Sequence, residues 1–453
     1  MTRDLDAAMQ AIDALLEGAT PERVRAALSA CIGTMGPPSA GAAFVSITKL
    51  ATCLDVAERG RALAALSRLS HGDAVRLGQI AKLCPPEERA AAIEATIAAA
   101  LAPIDSDNPD TRVNGILAAL GAVADLEPEA QPDRVRALLD ALPKTLAPNE
   151  ALYIGGGIRM LGEASAHAAF EHRTAFEGDA ALLIAAIAAR GRDEIEAVWV
   201  TLVARYEGYL TAGNVFHALA ALVDRLDSTQ LARFDQNFPD LHSFYDQVCE
   251  PLATAWARAG DPVRAYRVAS SLRGAPARLR TQLAVVAARP DEALRARLMT
   301  DLESVDAGLV SWVVLVDPKR FVSAVGPERA LACAERDSWS INARAAVLAS
   351  LPPAMAADRS AALLEGVREG LFELELDELF ALVKLPLSRQ HDAELLRASL
   401  TRMLAHEPAF LFYDDWEGHD LGALTPLLVR LGGSALLTAL IDELAPAPSA
   451  SAS

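Results

Sequence analysis

The chain is short of aromatic residues, lysines and cysteines, and it has no long uninterrupted apolar stretch. Aromatic side chains make up 5% of its 453 residues, whereas apolar residues of all kinds make up 52%. A core with so few rings must be built from Ala, Leu, Val and Ile, and small side chains on good helix formers let helices approach closely. Arginine outnumbers lysine about sevenfold. Genome base composition imposes that bias together with abundant alanine, so periodicity is the firmer guide to structure. Cations are outnumbered too: 42 Lys and Arg stand against 60 Asp and Glu, a net charge of −18. Phosphate binding needs a dense cationic face, so no nucleic-acid partner is expected.

The five cysteines, Cys31, Cys53, Cys84, Cys249 and Cys333, are odd in number and far apart. No two lie close enough for a zinc clip, and their apolar surroundings suit reduced, buried thiols in a reducing compartment. The opening Met1-Thr2-Arg3-Asp4-Leu5-Asp6 lacks a basic-then-apolar leader. The longest apolar runs, Ala180 to Ala189 and Ala307 to Val316, are too short to span a bilayer. The expectation is a cytoplasmic protein with no membrane partner. Its small-residue end, 445–453, reads as a disordered tail.

What the chain does have is helical period almost from end to end. Val135, Leu138, Leu139 and Leu142 fall on one helix face, as do Leu363, Leu364, Val367 and Leu371, and Leu396, Leu400, Met403 and Leu404. Thr20-Pro21, Gln131-Pro132-Asp133, Asp261-Pro262 and Gly326-Pro327-Glu328 place proline where a first helical turn tolerates it, each followed by an arginine. This punctuation divides the chain into about twenty helices of some 12–18 residues joined by short turns. Phe372 to Asp377 alternates with period two, but its neighbours are helical, and a helix is expected there. Ile195 to Leu210 is apolar nearly all round and should be buried on both sides. Residues 228–250 hold Phe234, Phe238, Phe244 and Tyr245 among polar residues, which suggests an irregular connection. Two halves follow, 1–227 and 228–444.

One phrase occurs twice. Gly72-Asp73-Ala-Val75-Arg76 leads into Ile80-Ala81, and Gly260-Asp261-Pro-Val263-Arg264 into Val268-Ala269. Glycine ends one helix and aspartate caps the next, so each copy marks a tight joint between helices. Around the second copy, Leu252-Ala253, Trp256, Gly260-Asp261 and Ala265 resemble the tetratricopeptide repeat over about 25 residues. The likeness stops at Leu272 and Ala277, where that repeat has a further alanine and a closing proline. The chain as a whole resembles a degenerate helical solenoid of tetratricopeptide-like or HEAT-like type. That resemblance implies a binding surface and carries no catalytic residues.

Chemistry is sparse. The eight histidines form no zinc-protease pair, no serine stands in a nucleophile elbow, and Gly155-Gly156-Gly157 has neither the preceding strand nor the spacing of a phosphate loop. Close helix packing explains the three glycines better. One stretch stands out, His406 to Asp420, with four aromatics, five carboxylates and two imidazoles in fifteen residues. Phe412, Tyr413, Asp415, Trp416 and Glu417 have the character of a protein-binding hot spot. Asp414, Asp415 and His419 could instead hold a divalent metal. A structural cap is the third reading. Asp235, Asp240, His242, Tyr245, Asp246 and Glu250 form a weaker cluster, read as a polar connection.

These observations lead to an all-α chain, a right-handed superhelical solenoid of antiparallel helix pairs. The function expected is a non-catalytic scaffold or adaptor that holds another protein or peptide and needs no cofactor. The alternative is a metal-dependent enzyme, or enzyme accessory, working through 406–420.

Overall fold

Helices begin where the sequence supplies an acceptor for the free amides of a first turn. Asp73 accepts from Arg76 N at 3.0 Å, Asp261 from Arg264 N at 2.9 Å and Asp291 from Leu294 N at 3.0 Å. Proline opens Pro86–Leu101, Pro148–Arg159, Pro262–Ser270 and Pro327–Ala334, where its missing N–H is not needed. Such restarts come close together. Asp317 both ends Ala307–Val316 and caps Pro318–Val325, accepting from Arg320 N at 2.9 Å. The computed structural model describes residues 2–35, 39–102, 109–207, 213–237, 246–405 and 421–445. It is 81% helix, with no strand among the described residues. The chain is all-α, in more and shorter helices than the periodicity alone suggests.

The twice-used Gly-Asp phrase is a joint in both places. Gly72 and Gly260 adopt φ of +77° and +96°, a region open to glycine but strained for other residues, and the aspartate that follows caps the next helix.

Arginines make a second recurring joint by donating to backbone carbonyls left over at helix C-termini. Arg59 reaches Leu54 O at 3.0 Å and Leu83 O at 3.3 Å; Arg190 reaches Ile187 O at 2.6 Å; Arg225 reaches Ala186 O at 2.6 Å. Arg112 binds Ala141 O and Arg295 binds Ala324 O in the same way. A cation at a helix C-terminus also opposes the negative end of the macrodipole. Burial brings the Arg225 guanidinium down to about 10, helped by the neighbouring cations Arg190 and Arg159.

One series of helices packs member upon member: Ala40–Thr52, Ala74–Leu83, Pro109–Val123, Pro148–Arg159, Gly178–Ala188, Gly213–Val223, Asp246–Arg258 and Ala275–Ala288. It continues through Ala307–Val316 and Pro318–Val325 to Ile341–Ser350 and Leu376–Val383. The remaining helices flank this central series. The contacts then return to their origin. Leu376–Val383 meets the 3-10 turn Leu421–Leu424, which packs on Ala40–Thr52, and the last helix, Thr425–Leu444, packs on Pro21–Met35, Ala40–Thr52 and Gly60–Ser70. The packing of the described helices is therefore a closed circuit.

Polar contacts reinforce the junction. Arg25 and Ser29 bind Glu443, Arg61 binds Asp442, Arg68 donates to Ala445 O, and Arg397 binds Asp13 at 2.8 Å. Beneath them Leu436, Leu437, Leu440, Ile441 and Leu444 are buried. At about 1.5–3 kcal/mol for each buried aliphatic side chain, apolar packing outweighs the exposed ion pairs here. Gly433 breaks the last helix with φ +61° and ψ −161°.

Two of three consecutive glycines let the central series close up. A Cβ on Gly155 would stand 2.1 Å from Ile187 Cδ1, and one on Gly157 would stand 2.9 Å from Leu120 Cβ. Gly156 between them faces open space. Close packing, not anion binding, is what the Gly-Gly-Gly sequence provides.

Several local expectations need correcting. Phe372 lies in a turn, not a helix; the helix begins at Leu376, where Glu375 and Glu378 form a capping box. Residues 228–237 form a helix, Ser228–Asn237. Helix Arg192–Glu207 is not buried on both sides, since Val200 is 58% exposed; Gly178–Ala188 is the enclosed one, with Leu182 through Ala188 all buried. Leu421–Leu444 is long and apolar enough, by length and composition, to cross a membrane, although polar residues interrupt its apolar run. Half of its most apolar window is buried within the protein.

Candidate binding cleft

The closure brings both ends of the central series to one cleft of about 480 Å³. Lys49 enters from Ala40–Thr52, Leu315 from Ala307–Val316, and Asn342 from Ile341–Ser350. Asp377, Ala381 and Lys384 come from one face of Leu376–Val383 and its C-cap, at the i, i+4, i+7 spacing of a helix. Gly422 and Ala423 complete the lining from the 3-10 turn. Asn342 Nδ2 donates to Asp377 Oδ2 at 2.7 Å, which fixes the polar edge. Two of the chain's five lysines, Lys49 and Lys384, line the cleft together with Asp377.

Next to it lies an uncovered apolar surface. In Ala307–Val316 only Val310, Ser311, Val313 and Val314 are buried, while Trp312, Leu315 and Val316 are 47%, 39% and 54% exposed. The Arg280 guanidinium lies over the Trp312 ring, 5.6 Å from its centroid. Scattered exposed leucines are ordinary, but a tryptophan beside two aliphatics on one helix makes a contiguous exposed apolar patch next to the cleft. The sequence shows Ala307 to Val316 only as an apolar run. The missed signal is that it is apolar all round, so any face that no neighbour covers stays apolar.

The residues singled out in the sequence as partner-binding, Phe412, Tyr413, Asp415, Trp416 and Glu417, lie outside the described residues, as do Asp414 and His419 of the metal alternative. Within the described residues no group of three or more His, Cys, Asp or Glu side chains is placed to hold a metal ion. Of the weaker cluster, Glu250 pairs with Arg320 at 3.8 Å.

Three histidines pair with carboxylates: His172 with Asp140, His391 with Glu365, and His167 with both Glu171 and Glu194. Hydrogen bonding to Glu194 raises His167 above the usual imidazole range; its slight burial opposes this and Glu171 adds to it. Cys31, Cys84, Cys249 and Cys333 are buried and Cys53 is exposed, all of them free thiols. Burial pushes Cys31 up to about 12, which leaves it unreactive as a nucleophile at neutral pH.

No family model matches the chain, and neither the curated proteins nor the solved structures yield a match.

Proposed function

We propose that this chain is a non-catalytic scaffold that holds a segment of another protein in the cleft between Lys49, Leu315 and Lys384. The reading takes the stacked helices as antiparallel pairs of a right-handed superhelical array, tetratricopeptide-like or HEAT-like in kind, whose last turn meets its first. Short connections between extensively contacting helices support the antiparallel pairing, because two helices joined by two or three residues can share a long contact only by running in opposite directions. The observation that carries the function is the exposed Trp312, Leu315 and Val316 surface next to a cleft with lysines on its wall. Such a surface fits a helix or extended segment with aliphatic and acidic side chains, the aliphatics on Leu315 and Trp312 and the acids toward the lysines. Four buried free thiols support a reducing compartment such as the cytoplasm.

The test compares Leu315→Asp with Val263→Asp, which changes an exposed valine on the flanking helix Pro262–Ser270. Affinity capture from the native cell should recover a stoichiometric protein partner with wild type and with Val263→Asp, and lose it with Leu315→Asp. Equal recovery with all three would rule out the cleft as the binding surface.

A further inference from the structure

Helices Pro262–Ser270, Ala275–Ala288 and Glu292–Glu303 enclose a recess of about 260 Å³ that shares no residue with the cleft. Its wall departs from the Ala/Leu packing found elsewhere. Tyr266 and Gln282 are buried, and both donate to one oxygen: Tyr266 O–H to Asp301 Oδ2 at 2.7 Å, Gln282 Nε2 to the same atom at 2.9 Å. Gln282 Nε2 also donates to Ser270 Oγ at 3.1 Å. Those contacts fix the amide with its oxygen turned away from Asp301, and Gln282 Oε1 meets no donor from the protein although the residue is 1% exposed. A buried acceptor in that condition calls for a donor from elsewhere.

Two guanidinium groups line the same recess, Arg278 and Arg297. Neither has an ion-pair partner among the described residues: Arg278 reaches only Leu272 O, at 3.5 Å, and Arg297 lies over the Tyr266 ring at 5.0 Å. Elsewhere in this region Arg295 and Arg329 pair with Glu292 and Arg336 with Glu303. Two guanidinium groups without a carboxylate partner, meeting at one small polar recess beside Asp301, suit an anion that also offers a proton.

We propose that this recess binds a small oxyanion, a carboxylate or a phosphate, that carries an N–H or O–H donor next to its charge. The oxyanion lies between Arg278 and Arg297, and the donor turns inward to Asp301. Asp301 sets the selectivity, because its charge repels an anion that offers no proton on that side. The volume suits a molecule of amino-acid size rather than a nucleotide.

Isothermal titration of the full chain with sulfate, glycerol 3-phosphate and L-glutamate tests this and separates the two oxyanions, sulfate being the anion without a proton to offer. At least one of the two donor-bearing compounds should bind about tenfold or more tightly than sulfate. Arg278→Ala and Arg297→Ala should each weaken that binding about tenfold or more. Asp301→Asn should narrow the gap between the donor-bearing compound and sulfate, a change that a purely structural Tyr266–Asp301–Gln282 network would not produce. Arg297 is exposed and Arg278 half-buried, so neither truncation opens a core cavity, and a melting curve recorded for each variant keeps the comparison valid if Asp301→Asn fails to fold. Absence of binding by all three compounds up to about 10 mM overturns the proposal, as does binding that both arginine variants leave intact.

Discussion

Ser29 and Glu443 are 414 residues apart in the chain, yet the Ser29 hydroxyl donates to Glu443 Oε2 at 2.6 Å. Arg25 Nε reaches the other carboxylate oxygen at 3.2 Å. The pair marks where the last helix seals the circuit of packing against the second and fourth helices, Pro21–Met35 and Gly60–Ser70. In an open array the first and last helices would pack only on their neighbours in sequence. Here Thr2–Asp13 packs on Pro21–Met35 and on Arg389–Ala405, and Thr425–Leu444 packs on Arg389–Ala405 and on Pro21–Met35, Ala40–Thr52 and Gly60–Ser70. Deleting residues 434–453 removes the five buried aliphatics on that face, from Leu436 to Leu444. Amide exchange in Pro21–Met35 and Gly60–Ser70 should then accelerate by about tenfold or more, while exchange in Glu292–Glu303, remote from the junction, should change little. Uniform acceleration along the chain would mean that the junction has no local role.

Arg430 and Asp392 form the most deeply buried ion pair in the described structure, with Asp392 1% exposed and Arg430 Nη2 at 2.7 Å from its Oδ1. The same guanidinium donates to Val383 O at 2.9 Å, tying three helices together. Arg430→Ala leaves a carboxylate buried without its partner and should cost about 3–5 kcal/mol in chemical denaturation. Replacing both residues with leucine or methionine should cost much less, because the charge that needs a partner is then gone.

The three adjacent glycines should respond differently to alanine. Gly156→Ala, with nothing within 4 Å, should stabilise by about 0.5–1 kcal/mol through helix propensity alone. Gly157→Ala places a methyl group 2.9 Å from Leu120 Cβ, close to the backbone where it cannot easily yield, and should destabilise by about 1–3 kcal/mol. Thermal or urea unfolding of the two single variants gives the comparison.

His167 and Glu194 should give a defined pH window. His167 Nδ1 is 2.5 Å from Glu194 Oε1 and its Nε2 is 3.4 Å from Glu171, which also faces Arg136. Because His167 is raised from 6.5, its share of stability is complete below that value and lost as pH rises through the folded value. Burial pushes Glu194 up, but the amides of Arg190 and Gly191 and the His167 hydrogen bond outweigh it, leaving Glu194 below 4.5. The share from Glu194 is therefore present above 4.5 and lost as pH falls through its lowered value. The stability difference between wild type and His167→Gln should peak near pH 6 and shrink toward pH 8. Since His167 is half exposed, the peak should be no more than about 1 kcal/mol.

Local chemistry made much of this fold legible. Gly72-Asp73 and Gly260-Asp261 announce their joints in four letters, because a left-handed residue followed by a capping carboxylate is a backbone requirement satisfied within one turn. The Gly155–Gly157 packing was readable for the same reason. Closure of the circuit was not, since Ser29 and Glu443 are ordinary surface residues until the chain has gone round. The cleft was equally hidden: Lys49, Leu315 and Lys384 share no spacing, and only the return of the packing to Ala40–Thr52 places them together. Val200 and Trp312 show the same limit in reverse, for apolar periodicity says which faces can be covered and not whether a neighbour arrives to cover them.

The central claim is that the Leu315 surface holds a protein partner, and site-directed photocrosslinking in the native cell tests it most directly. A photoreactive residue at Leu315 should yield one discrete crosslinked protein, competed away by excess unlabelled chain, while the same residue at Val263 should yield none. Crosslinks of equal pattern from both positions, or none from Leu315, would contradict the account.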